Sequence, residues 1–445
     1  MQTTEAHPFL QTDCAVRWSA LTPEHVVPDI TAALKTARGR IEKIGAQAAD
    51  TLSYENSFGA FEAALEPLNT AWNYVGHLDS VANSPELRKA HNEMLPLVSE
   101  FHSRLYVDKA LWNVLKTFAQ SAPAQTLDQA RARFVSEVSA DFRENGADLP
   151  EDKRARLVEI DAELAQLTQK FSENVLDATN AFSLVVEDEA QLEGLPASAV
   201  EAAALDAKQH NAPGWRFTLH EPVLHPVLQY ADNEPLRRTL WEAFNAVGRE
   251  QPYDNKPLVP RILELRDEKA RLLGFDNFSD YVLSRRMAKT GKRALDFIED
   301  LHTRVEKKFK EECAELETFK AETLNSTPEP LEPWELSYWA EKLRKARTDF
   351  DGEQLRPYFE VSRVIHGLFT LSQKLFGISI TENKSVERWH ESVKACDVFD
   401  SDSGEKIGLF YADWHPRVTK RSGAWMNPLK DTPQIGCVCG NMTAP

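Results

Sequence analysis

Twelve histidines and five cysteines are candidates for binding a metal ion or moving a proton in this chain. Zinc-dependent hydrolysis commonly uses the helical pattern His-Glu-x-x-His, in which the glutamate activates a zinc-bound water. The twelve histidines never form that pattern. The nearest string is His220-Glu-Pro-Val-Leu-His225, whose spacing is one residue too long and whose Pro222 and Pro226 argue against a regular helix. We therefore predict no metal site at this string.

A second candidate for metal binding is the pair Cys437-x-Cys439. Cysteine thiolates bind soft metal ions, but zinc sites normally use four ligands, with cysteines separated by two or more residues. We predict instead that the two cysteines are small apolar residues of a β-strand.

Two acidic segments near the C-terminus are also candidates for metal binding or proton transfer. The string Asp400-Ser-Asp-Ser-Gly404 begins like a calcium loop, but its twelfth position is Tyr411 and not glutamate, which favours a hairpin turn. In Asp413-Trp-His415 no serine or cysteine is placed by the sequence to exchange a proton, so His415 is predicted to be structural. The glycine motifs that bind phosphates or dinucleotides are absent from the sequence. The motifs alone thus assign no catalytic residue and no metal ligand.

The elements that would position these residues are predicted to form a small sheet near the C-terminus. Residues 406–414 form a continuous apolar run, as in a buried strand, and 393–399 form a second strand joined to it through 400–404. Residues 424–426 are predicted to be extended, and 434–442 to form a further strand. We expect a hairpin within a small sheet.

The remainder of the chain is predicted to be mostly helical. Apolar residues recur at spacings of three and four within 30–44, within 58–78 and within 364–375, where Gly377 ends the stripe. The longest helix is predicted to begin near Pro150, and residues 216–219 are predicted to be a short strand. The fold class is therefore mostly α with a small terminal sheet.

Composition excludes several classes of partner. The chain has 445 residues and a formal net charge of -17, which disfavours binding to nucleic acid and to anionic membranes. The N-terminus lacks the basic and apolar regions of a signal peptide, and no stretch approaches the ~18 to 20 apolar residues of a membrane span. Five cysteines in a chain of this length suggest reduced thiols. These features favour a cytoplasmic protein.

The C-terminal region resembles the M3 family of zinc metallopeptidases, which includes thimet oligopeptidase-like enzymes. The resemblance is strongest to the oligopeptidase A type of this family. The residues that carry the resemblance are Gly408-Leu-Phe-Tyr-Ala-Asp-Trp-His-Pro-Arg417 and Lys420-Arg-Ser-Gly-Ala-Trp-Met426. It continues through His77-Leu-Asp-Ser-Val-Ala-Asn-Ser-Pro-Glu-Leu-Arg88, Asn174-Val-Leu-Asp-Ala-Thr179, Glu353-Gln-Leu-Arg-Pro-Tyr-Phe359 and Arg388-Trp-His390. The resemblance covers essentially the whole chain.

The resemblance implies a clam-like helical body whose channel admits short, unstructured peptides. The apolar periodicity weakens around Glu187 to Leu219, which predicts a boundary there: an N-terminal helical domain (1–190) precedes a helical channel wall (191–390) and a small sheet bordering the substrate cleft (391–445). The family holds zinc with two histidines of His-Glu-x-x-His and a downstream glutamate. This sequence ends at Pro445, before the point where that motif would begin, so it supplies neither zinc ligands nor catalytic residues.

What the resemblance carries over is the substrate-binding strand. In relatives the segment matching Ser422, Gly423, Ala424 and Trp425 pairs with the peptide backbone, which suits sequence-tolerant binding. Small residues at 423 and 424 would let a peptide approach closely. The alternative for these two residues is a plain turn that leads into a strand.

We accordingly expect the N-terminal two-thirds of an oligopeptidase A-like zinc endopeptidase, inactive alone, with apolar faces left exposed. Zinc would be a cofactor of the complete family chain only. An alternative is a non-catalytic protein that retains the channel wall and binds peptides. A helical scaffold unrelated to peptides is a third hypothesis, although it leaves the ordered matches unexplained.

Overall fold

The computed structural model describes residues 7–11, 16–431 and 433–442, the side chains of Glu353 and Arg356 excepted. Helices dominate these residues, as predicted. They are α1 (Pro23–Gly45), α2 (Phe58–Val81), α3 (Pro85–Tyr106), α4 (Lys109–Ala119), α5 (Gln129–Glu144), α6 (Glu151–Ala181), α7 (Ala197–Gln209), α8 (Glu221–Tyr230), α9 (Glu234–Asn245), α10 (Leu258–Leu272), α11 (Phe278–Leu283), α12 (Gly291–Leu324), α13 (Leu336–Thr348) and α14 (Val361–Phe376).

The strands of the described residues form one ribbon and one small sheet. The ribbon pairs β1 (Leu184–Val186) with β2 (Trp215–Phe217), and the sheet contains β3 (Ile378–Glu382), β4 (Lys394–Asp400), β5 (Lys406–Asp413), β6 (Trp425–Lys430) and β7 (Gln434–Cys439). The spatial order of the sheet is β3-β4-β5-β7-β6. Strand β5 is antiparallel to β4 and parallel to β7, and β6 is antiparallel to β7. The predicted hairpin of β4 and β5 is therefore confirmed.

The chain divides into two compact units. The first comprises the described parts of Met1–Lys170, Leu258–Val282 and Ile380–Gly440. Its core combines buried residues of helices α1 to α5 with one face of the sheet. Leu409 and Tyr411 of β5 and Ile435, Cys437 and Cys439 of β7, each two residues apart, contribute that face. The alternation of side chains along these strands thus fixes which residues lie beneath the helices.

The second unit comprises Phe171–Pro257, Leu283–Ser379 and the described part of Asn441–Pro445. Its core joins the ribbon to helices α7, α8 and α9, through buried residues such as Phe217, Leu224 and Leu240. Arg237 is buried and donates to the carbonyl oxygens of Ala231 (2.6 Å) and Asp232 (3.2 Å). This unit therefore has a hydrophobic core of its own.

Two predictions about helices were wrong. The longest helix is α12, with 34 residues, and not α6, which has 31. Thr290 caps the N-terminus of α12, and Asn325 ends it in the left-handed region, so the helix is longer than its apolar stripe alone suggests.

The string from His220 to His225 lies largely in helix α8, despite Pro222 and Pro226. Pro222 falls in the first turn, where the missing N–H has no helical partner to lose, and Pro226 removes a single bond of the helix interior. Burial of Leu224 and Val227 offsets that loss.

Other details agree with the sequence. The Asp400 turn is closed by a carboxylate oxygen that accepts from the N–H groups of Asp402 (3.2 Å) and Ser403 (2.7 Å). Cys313, Cys396, Cys437 and Cys439 are free thiols, while Cys14 lies outside the described residues. Within the part of the chain that the structure describes, no helix has the length and apolar character needed to cross a bilayer.

Candidate peptide-binding strand

Strand β6 lies at the edge of the five-stranded sheet. Within the described residues it pairs with β7 alone, in a register that sets Trp425 opposite Cys439 and Asn427 opposite Cys437. An edge strand presents backbone groups that an added strand can use. Pro428 lies on this strand, at a position that sheets tolerate mainly at their edges. Strand β6 is therefore placed where an extended peptide could extend the sheet.

The four residues predicted to bind substrate lie together at the start of this edge strand. Ser422 and Ala424 are exposed, and Trp425 is the first residue of β6. Gly423 has φ +91°, in the left-handed region, and a Cβ at this position would meet no atom within 4 Å. The glycine thus serves a turn and leaves open space beside it, so both interpretations of this segment fit. Its role in substrate binding stays a prediction.

The loop before Ser422 is fixed to the C-terminal end of helix α2. The N–H of Arg421 donates to the carbonyl oxygen of Ser80, and that of Asn83 donates to the carbonyl oxygen of Thr419, each at 2.9 Å. Arg417 Nη2 donates to the carbonyl oxygen of Val81 at 3.1 Å. The last carbonyl groups of a helix have no partner within the helix, and here the loop satisfies two of them. Helix α2 therefore determines where β6 begins.

A buried ionic cluster holds the same loop from within, and Asp413, at the end of β5, is its centre. The Asp413 carboxylate accepts from Arg417 at 2.6 and 2.8 Å, from Lys420 Nζ at 2.8 Å and from Trp389 Nε1 at 3.0 Å. The side chains of Asp413 and Lys420 are both 0% exposed. Lys420 Nζ also donates to the carbonyl oxygens of Asp413 (2.9 Å), His415 (2.9 Å) and Gly440 (2.6 Å). One ammonium group thus joins β5, the loop and the end of β7.

The charges of this cluster shift the pKa values of its members. Burial alone would raise the pKa of Asp413, but hydrogen bonds from Arg417 and Lys420 outweigh it and hold that pKa below its usual value. Burial lowers the pKa of Lys420, and the neighbouring Asp413 carboxylate opposes that shift. The Asp413 carboxylate is therefore ionised at neutral pH, and it accepts hydrogen bonds from Arg417, Lys420 and Trp389.

The sequence contained a pattern that could have revealed this cluster. Asp413, Arg417 and Lys420 follow a buried apolar run and are spaced by four and three residues. Ionic groups next to a buried strand must be paired or exposed, because an unpaired buried charge is costly. Because Asp413 continues the buried apolar run, an ion pair with a following cation was the arrangement to expect.

The inner side of β6 contacts a second polar group on helix α2. His77 is 1% exposed and its ring lies 4.4 Å from that of Trp389, measured between centroids. With its amide oriented to satisfy both neighbours, Asn427 Oδ1 accepts from His77 Nδ1 (3.2 Å) and from Trp425 Nε1 (3.3 Å). Burial lowers the pKa of His77 to about 3, so the ring is neutral at pH 7. His77 thereby links α2 to the strand that begins at Trp425.

The catalytic zinc site that the resemblance implies does not fit the residues present. Among the described residues, one group of three potential ligands converges, namely His77, Cys437 and Cys439. All three are buried, and no carboxylate belongs to the group. A hydrolytic zinc needs a position open to water and a neighbouring general base. This group offers neither, and the sequence contains no His-Glu-x-x-His.

Comparison with known proteins identifies the chain's relatives. A profile described as "Peptidase family M3" matches residues 227–445, and one described as "Neurolysin/Thimet oligopeptidase, N-terminal domain" matches residues 30–154. The chain belongs to peptidase family M3. The M3 match includes the whole loop from Asp413 to Trp425 and strands β5 to β7, and the second match includes α2 to α5. The resemblance on which the sequence analysis rested is confirmed.

Individual M3 relatives are similar over most of this chain. Oligopeptidase A of Salmonella typhimurium is 36% identical over 427 residues, which are 95% of this chain and 62% of the relative. Oligopeptidase A of Escherichia coli is 36% identical over 92% of this chain and 60% of its own length. Dipeptidyl carboxypeptidase of E. coli is 27% identical over 84% of this chain and 55% of its own length. The chain thus spans about three-fifths of the length of the oligopeptidases it matches.

Proposed function

We propose that this chain forms the peptide-binding part of a zinc-dependent M3 oligopeptidase that hydrolyses short, unstructured peptides. The observation that carries the proposal is the edge strand β6, which begins at Trp425 directly after Ser422 to Ala424 and whose position is fixed by the buried Asp413 cluster. The 445 residues bind a peptide through this edge and do not hydrolyse it, because they contain no His-Glu-x-x-His.

Sequence-tolerant binding follows from the type of contact. A peptide that adds a strand to β6 is held mainly by its own backbone, whose groups are the same in every sequence. Ala424 and Gly423 have little or no side chain to hinder its approach. The Arg421 guanidinium lies over the Trp425 ring, 4.5 Å from its centroid, and restrains the ring by a cation–π contact. The residues at the start of β6 are therefore small or restrained, and binding does not depend on the side chains of the peptide.

The relatives support the substrate class and the compartment. The bacterial relatives are named oligopeptidase A, and a 32% identical protein of Arabidopsis thaliana is named "Probable cytosolic oligopeptidase A". A cytoplasmic location also agrees with the free thiols of the described cysteines. Zinc is the cofactor of the complete enzyme in this proposal, held by residues other than those of this chain.

Binding is tested with two matched sets of fluorescent peptides. In an added strand, alternate residues direct their N–H groups toward the neighbouring strand. One set of peptides is N-methylated at the odd positions and the other at the even positions, and only one of these two phases should weaken binding. We expect anisotropy titrations to show at least about a tenfold loss of affinity for one phase of methylation, since each lost hydrogen bond costs about 1 kcal/mol. Equal effects of both phases, or no binding, would overturn backbone pairing at β6.

Inactivity is tested separately with a quenched fluorescent peptide and added zinc. We expect no turnover above that of a buffer blank with the same zinc concentration. Turnover that disappears with a chelator would contradict the inactivity of this chain while leaving the binding result intact. If peptides bind and are not cut even when an M3 catalytic region is supplied in trans, a non-catalytic peptide-binding protein becomes the better description.

A further inference from the structure

The geometry points to a buried binding site for the soft ion Cu(I), formed by His77, Cys437 and Cys439. A ring nitrogen of His77 and the two Sγ atoms all lie within 4.8 Å of one another. The Sγ atoms of Cys437 and Cys439 are 3.4 Å apart. Two sulfur atoms bonded at about 2.3 Å to one ion are separated by about 3.8 to 4.0 Å, so an opening of about half an ångström admits the ion.

The second observation is an unsatisfied nitrogen on His77. Its Nδ1 has Asn427 as a partner, whereas its Nε2 is buried without a hydrogen-bond partner. A proton on Nδ1, donated to the amide oxygen of Asn427, leaves the lone pair on Nε2. Histidine ligands of metals commonly donate their other N–H in this way, which fixes the tautomer and the orientation of the ring. The polar contact that a ligating histidine needs is therefore already present.

The donor set selects the ion. Thiolates favour soft ions such as Cu(I), and an imidazole completes a three-coordinate set. Zinc in structural sites is almost always four-coordinate and tetrahedral, and no fourth ligand converges with these three among the described residues. Cys437, Cys439 and His77 are 0%, 1% and 1% exposed, so water does not readily supply the fourth position. Cu(I), which is stable with two or three ligands, fits the site better than Zn(II).

The charge of the bound state can be balanced locally. Binding forms two Cu–S bonds and one Cu–N bond, breaks the two S–H bonds and releases both protons to solvent. No electron is transferred when the ion is supplied as Cu(I). The resulting site carries one net negative charge. The ammonium of Lys420 interacts electrostatically with both thiols and supplies a balancing positive charge, while the nearby Asp413 carboxylate is itself paired with the Arg417 guanidinium.

The ion would join elements that the candidate peptide-binding strand depends on. His77 belongs to α2, while Cys437 and Cys439 belong to β7, the neighbour of β6. Asn427 connects His77 to β6 itself. Bound copper would therefore stabilise the packing of the helix on the sheet, because an ion that binds only the folded state shifts the folding equilibrium.

The test is an anaerobic titration of the full chain with Cu(I) against the chromophoric chelator bathocuproine disulfonate. Cys14 and Cys313 are replaced by serine beforehand, which leaves Cys396 as an internal control: it is buried and lies on β4 of the same sheet. We expect one Cu(I) per chain. Affinity should fall by at least about 100-fold in Cys437→Ser and in Cys439→Ser, since even outer-shell changes cost about 10- to 100-fold. It should be unchanged in Cys396→Ser.

The role of His77 is tested first on the unsubstituted site and then in a variant. X-ray absorption of the Cu(I)-loaded chain should show two sulfur neighbours and one nitrogen neighbour, and the melting temperature should rise on loading. His77→Asn, where its circular dichroism matches that of the parent, should lose the nitrogen neighbour. Sub-stoichiometric binding, an equal loss in Cys396→Ser or a coordination shell of sulfur alone would overturn the site. Displacement of Cu(I) by an equimolar amount of Zn²⁺ would overturn the choice of ion.

Discussion

At the scale of single residues, Lys420 determines the conformation of the loop before the candidate peptide-binding strand. Its ammonium group has four acceptors between 2.6 and 2.9 Å, three of which are the backbone carbonyls of Asp413, His415 and Gly440. Bringing a lysine and an aspartate out of water is costly, and their attraction repays the cost only with good geometry and further hydrogen bonds. The cluster therefore specifies one loop conformation more than it adds to stability.

We predict that Lys420→Met destabilises the protein by about 3 kcal/mol or more, because it leaves the Asp413 carboxylate buried with one cation fewer. Adding Asp413→Asn should deepen this loss, because the Arg417 guanidinium, 11% exposed, then lacks its carboxylate partner as well. The control is Lys406→Met, which breaks an ion pair of the same sheet whose lysine is 41% exposed, and which should cost no more than about 1 kcal/mol. Urea denaturation measures all four proteins. Equal losses for Lys420→Met and Lys406→Met would contradict the cluster's importance.

The lowered pKa of Asp413 predicts a dependence of stability on pH. Because the native pKa lies below the unfolded value of about 3.9, the unfolded state binds the proton first as the pH falls. The stabilisation is therefore complete well above pH 4 and is lost as the pH falls through the native pKa. The free energy of unfolding of the parent minus that of Asp413→Asn should be constant from pH 7 to about 5 and shrink below about 4. The measurement is made with a chelator present, and a difference that grows in acid would refute the direction.

At the scale of elements, the turn into β6 depends on backbone conformation and not on space. Gly423 has φ +91°, and a Cβ there would meet no atom within 4 Å; Gly39, inside α1, also has open space but lies in a regular helix. We predict that Gly423→Ala destabilises the protein by about 1 to 2 kcal/mol, the cost of a left-handed conformation for a residue with a Cβ.

The matched change Gly39→Ala should instead stabilise by up to about 1 kcal/mol, because alanine has the higher helix propensity. Thermal or urea denaturation of the two variants gives the signs directly. The same sign for both would show that the turn at Gly423 relaxes to accept a side chain.

The elements also show what the sequence could and could not predict. Strands β4, β5 and β7 were predictable because apolar runs and turn residues mark them locally, as Asp400 and Gly404 do. Strands β1 and β3 were missed: β1 has three residues, and β3 follows directly after the Gly377 that ends α14. Such short strands are stabilised by their partners in the sheet and not by a local pattern.

The candidate site was also predictable from the sequence only in part. Ser422 to Trp425 came from a resemblance, and the structure places them in one segment at the start of β6. The contacts of Lys420 with Gly440 and of His77 with Asn427 join positions 20 and 350 residues apart. No local pattern predicts such pairs, because they depend on how α2 and the sheet pack. The division of the sequence into three regions stays a prediction.

At the scale of the whole molecule, the second unit exposes amphipathic helices whose apolar faces have no cover among the described residues. Val364, Leu368, Leu371 and Leu375 of α14 are 50 to 65% exposed, and α12 exposes Phe297, Ile298, Val305 and Phe309 at 54 to 63%. Contiguous exposed apolar surface of this kind usually marks an interaction site. It agrees with the expectation from the sequence that apolar faces are left exposed.

We predict that the chain self-associates through these faces as its concentration is raised, because association removes apolar surface from water at about 25 cal/mol per Å². Leu368→Glu, at a position 52% exposed within the stripe of α14, should shift sedimentation velocity profiles toward monomer. Leu205→Glu makes the same charge change at an isolated leucine of α7 that is 58% exposed, and should leave the profiles unchanged. An equal shift for both variants would mean that added negative charge alone prevents association. A parent chain that is monomeric at all concentrations would show that the exposed stripes do not pair with one another.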